Sequence, residues 1–100
     1  MTAAPADRAT SDVAEAPYYV YILECSDGSF YVGITNNLER RLDAHNAGVA
    51  SKYTRSRRPV TLRYQEFCGT RSQALIRECG LRLLSRKEKQ ALVARGNKTD

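Results

Sequence analysis

Apolar and polar positions follow two rhythms along this chain. Residues 18–25, YYVYILEC, form an unbroken aromatic and β-branched run of the kind strands prefer. Ser26-Asp27-Gly28-Ser29 interrupts that run with a strong turn signal, and FYVGI at 30–34 resumes it. The spacing predicts a β-hairpin. Asn36-Asn37-Leu38-Glu39 then opens a helix, with Asn36 as the expected cap and Glu39 completing a capping box. Leu38 and Leu42 fall on one face of it, and Arg41 and His45 on another. Gly48 suits a left-handed helix end. Residues 49–59 read as a polar connection closed by Pro59. In VTLRYQEFC at 60–68, alternation puts Val60, Leu62, Tyr64 and Cys68 on one side of a third, half-buried strand.

Helical rhythm returns after Cys68. Thr70-Arg71-Ser72-Gln73 is a second capping box and starts a helix to about Leu84. Its expected apolar stripe is Leu75, Ile76, Cys79, Leu83 and Leu84, with Glu78 standing off the stripe beside Ala74 and Arg82. Ser85-Arg86-Lys87-Glu88 is a third box, opening a last helix through about Ala94 with Leu92 and Val93 inward. The order ββαβαα describes an α+β domain with a small three-stranded, mostly antiparallel sheet flanked by helices. Residues 1–17, rich in Ala, Thr, Asp and Pro without periodicity, read as a disordered tail. The domain is expected over 18–95.

Charge adds a partner to this outline. The chain of 100 residues carries a net +5. Residues 1–17 hold one basic and three acidic groups, so residues 18–100 hold 15 basic against 8 acidic, or +7. A small domain this basic usually meets phosphate, on nucleic acid or an acidic surface, and from charge alone a soluble protein that is simply basic is an equal reading. The connection at 49–59 concentrates Lys52, Arg55, Arg57 and Arg58 around Tyr53. It reads as a strip for the nucleic-acid backbone or, equally, as a solvated loop. Cys25, Cys68 and Cys79 form no C-x-x-C pair, which argues against zinc. They read as small buried hydrophobes in a reducing compartment. The N-terminus lacks the apolar core of a signal peptide, and no run approaches a membrane span. A cytoplasmic protein is expected.

The hairpin and first helix carry a recognisable pattern. Val20-Tyr21 is followed ten residues later by Tyr31-Val32-Gly33, then by Thr35, Asn37, Arg41 and His45. A glutamate, Glu78, follows on a later helix. The combination Tyr-x9-Tyr-x-Gly-x-Thr-x5-Arg-x3-His resembles the GIY-YIG nuclease superfamily. The likeness runs from Tyr18 to about Val93. It is closest in pattern to small stand-alone bacterial domains. Structure-specific junction endonucleases and the longer incision subunit of bacterial excision repair share the motif. Here the first motif, Tyr19-Val20-Tyr21, lacks its glycine.

The resemblance implies a metal-dependent endonuclease that hydrolyses phosphodiester bonds in DNA, acting on branched or damaged structures. RNA is the other substrate class. It implies Glu78 as ligand to Mg²⁺ or Mn²⁺. On the residues alone, Glu78 reads as a solvated helix charge pairing with Arg82. Arg41 would clamp phosphate through two guanidinium contacts. Tyr21 and Tyr31 would hold and deprotonate the attacking water, with Tyr31 implied as the base. His45, the only histidine, would assist. Gly33 allows close backbone approach and Thr35 lies near the site; both also suit a structural role. Ile34 stands where some nuclease branches carry lysine, leaving one positive charge fewer. A non-catalytic nucleic-acid-binding module of the same fold is the alternative function. A subunit whose protein partner supplies substrate specificity is a third.

The hairpin sets one geometric condition. A two-residue Asp27-Gly28 turn would put Tyr21 and Tyr31 on opposite faces of the sheet. A shared site requires a loop of odd length or a bulge, and a loop of three or five residues is expected.

Overall fold

A computed structural model describes residues 16–95. Residues 1–15 of the expected tail lie outside the described residues. Three strands, β1 (Tyr18–Glu24), β2 (Phe30–Thr35) and β3 (Thr61–Gly69), form an antiparallel sheet in the order β2-β1-β3. Four helices accompany them: α1 (Leu38–Asn46), α2 (Lys52–Arg55), α3 (Arg71–Arg82) and α4 (Arg86–Ala94). The expected α+β sheet with flanking helices is present, and the chain order is ββααβαα. The added helix, α2, is one short turn inside the basic connection, nucleated by Ser51, whose side chain accepts from the Thr54 amide.

The hairpin turn meets the odd-length condition. Leu23 pairs with Tyr31 and Tyr21 with Gly33. The Cys25 amide donates to the Ser29 carbonyl at 2.8 Å, which leaves Ser26, Asp27 and Gly28 as a three-residue loop. Gly28 takes a φ of 85°, a left-handed conformation that glycine adopts at no steric cost. Tyr21, Leu23 and Tyr31 therefore face the same side.

That sheet face packs against α1: Tyr21, Leu23, Cys25 and Val60 form a cluster with Leu38, Leu42, Leu62 and Tyr31. On the other face Val20, Ile22, Val32 and Tyr64 pack against Leu81 of α3 and Leu92 of α4. The two faces divide the work, one holding the site and the other the main core.

Three sequence expectations are corrected. Val60, Leu62, Tyr64 and Cys68 do not share a side. Ile22 pairs with Tyr64 but Leu23 with Leu62, so Arg63 forms a bulge. The bulge shifts the alternation by one and sends Val60 and Leu62 to the α1 face. On α3 most of the apolar stripe points outward: Ile76 is 74% and Leu83 81% exposed, Leu75 and Cys79 are also exposed, and only Leu84, just past the helix, packs on the core. Ala74 and Leu81 are the buried residues instead. The helix has apolar residues on two faces. The face with small Ala74 meets the strands, since a methyl group lets the helix axis approach the sheet. Of the cysteines, Cys25 is buried, but Cys68 is only partly so and Cys79 is exposed.

Helix caps follow the sequence with one displacement. Thr70 with Gln73 and Ser85 with Glu88 form the two expected capping boxes. On α1 the cap is Asn37, not Asn36; its side chain accepts from the Arg40 amide at 3.1 Å. Thr35 explains the shift, because its hydroxyl accepts from the Asn37 amide at 3.0 Å and holds the chain extended one residue longer.

Candidate active site

Gly33 and Tyr21 sit directly across the ladder from one another. The phenol lies over the glycine backbone: a Cβ built on Gly33 would meet the Tyr21 hydroxyl at 2.5 Å and its Cζ at 2.6 Å. Gly33 is thus the space into which the phenol folds. The α1 helix, capped by Asn37, then lays His45 over the same strand face.

His45 is fully buried. Its Nε2 lies 3.0 Å from the Tyr21 hydroxyl and its Nδ1 lies 2.8 Å from the Thr54 hydroxyl. The Tyr31 ring packs edge-on against the imidazole, with centroids 5.1 Å apart. Burial and the Arg41 charge lower the His45 pKa to about 4, so the ring is neutral at physiological pH. The Tyr21 pKa is raised, chiefly by burial. Hydrogen bonding and charge from Arg41 oppose that rise, while the charges of Tyr31 and Glu78 add to it. Tyr21, Tyr31, Arg41, His45 and Glu78 therefore lie within electrostatic or direct contact of one phenol.

The resemblance implies Tyr31 as base, yet the closest polar contacts belong to Tyr21. Tyr31 instead stacks on Tyr53 at 5.9 Å, and the Arg57 guanidinium lies 4.0 Å over the Tyr53 ring. Arg57 in turn reaches Asp27 at the hairpin tip, 3.1 Å away. This ladder holds Tyr31 from behind.

Arg41 is exposed and borders two clefts, each of about 320 Å³. One is lined by Thr35, Asn36, Asn37, Arg40 and Ala44. The other is lined by Tyr18, Ile34, Thr35, Asn36 and Arg71. The second has both Arg71 and Ile34, the position without the lysine, in its lining. Thr35 is buried, and its hydroxyl organises the start of α1.

Glu78 is mostly buried on α3, and its carboxylate pairs with Arg82 at 3.1 Å, as its position on the helix alone suggested. Among the described residues no group of three or more His, Cys, Asp or Glu side chains could hold a metal ion. One carboxylate suits a cation that keeps most of its water, as Mg²⁺ and Mn²⁺ do. The donor set fits such an ion and does not fit a fully protein-ligated one.

The basic strip divides. Lys52 and Arg55 are exposed on α2. Arg57 is committed to Asp27 and Tyr53. Arg58 donates to the carbonyls of Arg55 and Asn46, and with Arg55, Asn46, Ser56 and Pro59 it lines an open cleft of about 640 Å³. Sequence reasoning missed Thr54 and Ser51. Their three-residue spacing inside a basic loop was the available signal for a capped turn.

A strand pair that places two tyrosines on one face, beside a helix carrying arginine and histidine, matches the arrangement that the resemblance implies. The chain belongs to the GIY-YIG family: the model of the GIY-YIG catalytic domain, an endonuclease superfamily, matches residues 17–91. Nucleases of this superfamily generally use divalent metals and act on DNA. A UPF0213 protein of Halobacterium salinarum is 49% identical over 75 residues, covering 75% of this chain and 97% of that protein. The solution NMR structure of a UPF0213 protein from Bacillus halodurans is 42% identical, with a TM-score of 0.50 over 77% of this chain and 82% of that one. A solution NMR structure of a protein from E. faecalis, also 42% identical, gives 0.54 over 79% and 84%. Among the described residues no helix is long and apolar enough to cross a membrane.

Proposed function

We propose that residues 18–95 form a metal-dependent endonuclease acting on DNA, with branched or damaged duplexes as substrates. The observation that carries this is the 3.0 Å contact between the Tyr21 hydroxyl and His45 Nε2, with Arg41 acting on the same phenol. Neutral His45 accepts the Tyr21 proton while the phenol oxygen takes a proton from water. The resulting hydroxide attacks phosphorus, the opposite P–O bond breaks, and His45 returns its proton through Tyr21 to solvent as the leaving oxygen takes one from solvent. Tyr21, not Tyr31, is the base on this reading, and Tyr31 packs His45 in place. Arg41 binds the non-bridging oxygens, with Arg71 across the cleft. Glu78 would hold Mg²⁺ or Mn²⁺, which would stabilise charge on the phosphate and its leaving oxygen. Lys52 and Arg55 extend the backbone contacts with sequence-tolerant, salt-dependent affinity.

The test is cleavage of labelled duplex, flap and junction DNA in Mg²⁺ or Mn²⁺ by the wild type, Arg41→Ala and Glu78→Ala. Metal-dependent cutting by the wild type, reduced at least tenfold in both variants, is expected. Equal cutting by all three refutes the assigned roles. Salt-dependent binding with no cutting under either metal selects the non-catalytic module, which the Glu78–Arg82 pair and Ile34 favour.

A further inference from the structure

Behind His45 lies a buried hydroxyl that the nuclease reading does not use. Thr54 is fully buried, as is His45. Its Oγ1 is 2.8 Å from His45 Nδ1, 3.0 Å from the Ser51 hydroxyl and 3.5 Å from the Ser51 carbonyl. The Ser51 hydroxyl also accepts from the Thr54 amide at 3.1 Å. The α2 turn thus fixes Thr54 through both its backbone and its side chain.

Proton counting selects one arrangement. Neutral imidazole carries one N–H and one lone pair. If Thr54 donates to Ser51, its oxygen accepts from Nδ1–H and Nε2 accepts from Tyr21, while the Arg41 charge acts on the phenol oxygen. Every donor of Tyr21, His45 and Thr54 then has an acceptor. In the reverse arrangement Nε2–H donates to Tyr21, and the phenol proton needs a different acceptor. Arg41 offers none, because a guanidinium only donates. Tyr21 is buried, and buried donors without a partner are rare in folded proteins.

We propose that Thr54 is a positioning residue that locks His45 as the Nδ1–H tautomer, so that Nε2 holds the Tyr21 proton and the phenol lone pairs face the substrate. The short helix in the basic connection is on this view part of the active-site scaffold. The inference rests on the nuclease reading for its consequence in catalysis, but not for the tautomer itself.

The experiment is long-range ¹⁵N–¹H correlation of the His45 ring in the full chain at pH 7, for the wild type, Thr54→Val and Thr54→Ser. Valine matches the shape of threonine and removes the acceptor, while serine keeps it. The wild type and Thr54→Ser should show protonated Nδ1 and a lone pair on Nε2. Thr54→Val should shift the ring toward Nε2–H. Cleavage by Thr54→Val should fall on the order of 10- to 100-fold in kcat with KM unchanged, and Thr54→Ser should recover most of it. An Nε2–H wild type, or a Thr54→Val ring identical to the wild type, overturns the proposal. If Thr54→Val does not fold, the tautomers of the wild type and Thr54→Ser decide. The expected tautomers in a protein that cuts no DNA would leave the lock standing and remove the nuclease reading alone.

Discussion

Replacing Gly33 by alanine tests the site at its tightest point. The new methyl carbon would stand 2.5 Å from the Tyr21 hydroxyl, 2.6 Å from Cζ and 3.1 Å from Cε1. Non-bonded heavy atoms settle about 3.5–4.0 Å apart. The ring must therefore retreat by about 1 Å, or the strands must part. Tyr21 is buried among Leu23, Cys25 and Val60, so the retreat also strains the α1 face. A shift of that size disturbs the 3.0 Å contact with His45. Overpacking of this kind costs about 1–3 kcal/mol. A misplacement of about 1 Å in a catalytic group can cost on the order of 100-fold in rate. Urea denaturation and DNA cleavage read the two effects separately. A cycle with Tyr21→Phe adds a check: if both lesions act through the phenol hydroxyl, their rate losses do not add. A Gly33→Ala protein with wild-type stability and wild-type cleavage would refute this account.

The lowered His45 pKa makes stability depend on pH. As pH falls below about 6.5 the unfolded chain takes up the proton first, while folded His45 stays neutral down to about 4. Its contribution is therefore complete above that window and lost through it, on the order of 3 kcal/mol in all; His45→Gln should flatten this part of the curve, and parallel urea profiles for the two proteins would contradict it. Arg71→Ala should raise KM for DNA several-fold with little change in kcat, because Arg71 borders the Arg41 cleft without touching Tyr21 or His45; an equal fall in kcat would place it in the chemistry instead. Exposed Cys79 should react with a thiol reagent in the native protein while buried Cys25, whose thiol pKa burial raises, reacts only on unfolding; peptide mapping after labelling reads the order.

Much of this architecture is legible in local sequence, and the losses have identifiable causes. Thr70/Gln73 and Ser85/Glu88 can be read because a capping box is a contact between neighbours in the chain. The parity of the hairpin could be stated as a condition since side chains alternate strictly along a strand. The side taken by Val60 and Leu62 could not be read, because the Arg63 bulge arises from pairing with a strand nearly forty residues away. The inward face of α3 was misread for a related reason. Leu75, Ile76 and Leu83 are more apolar than Ala74, but close approach to a sheet selects size before hydrophobicity. The candidate site residues were marked by a motif, yet the motif says nothing of Thr54, which becomes visible only when α2 folds under His45.

The three-residue tip of the hairpin has a consequence for how its length can vary. Sidedness repeats every two residues, so removing a single residue between Ser26 and Gly28 would exchange Tyr31 with its neighbour Val32, sending the phenol into the oily layer and the valine to the face beneath α1. Adding two residues would preserve the handed arrangement and merely lengthen the tip. Length changes at this remote bend are thus restricted to even steps by chemistry taking place at the far side of the strand.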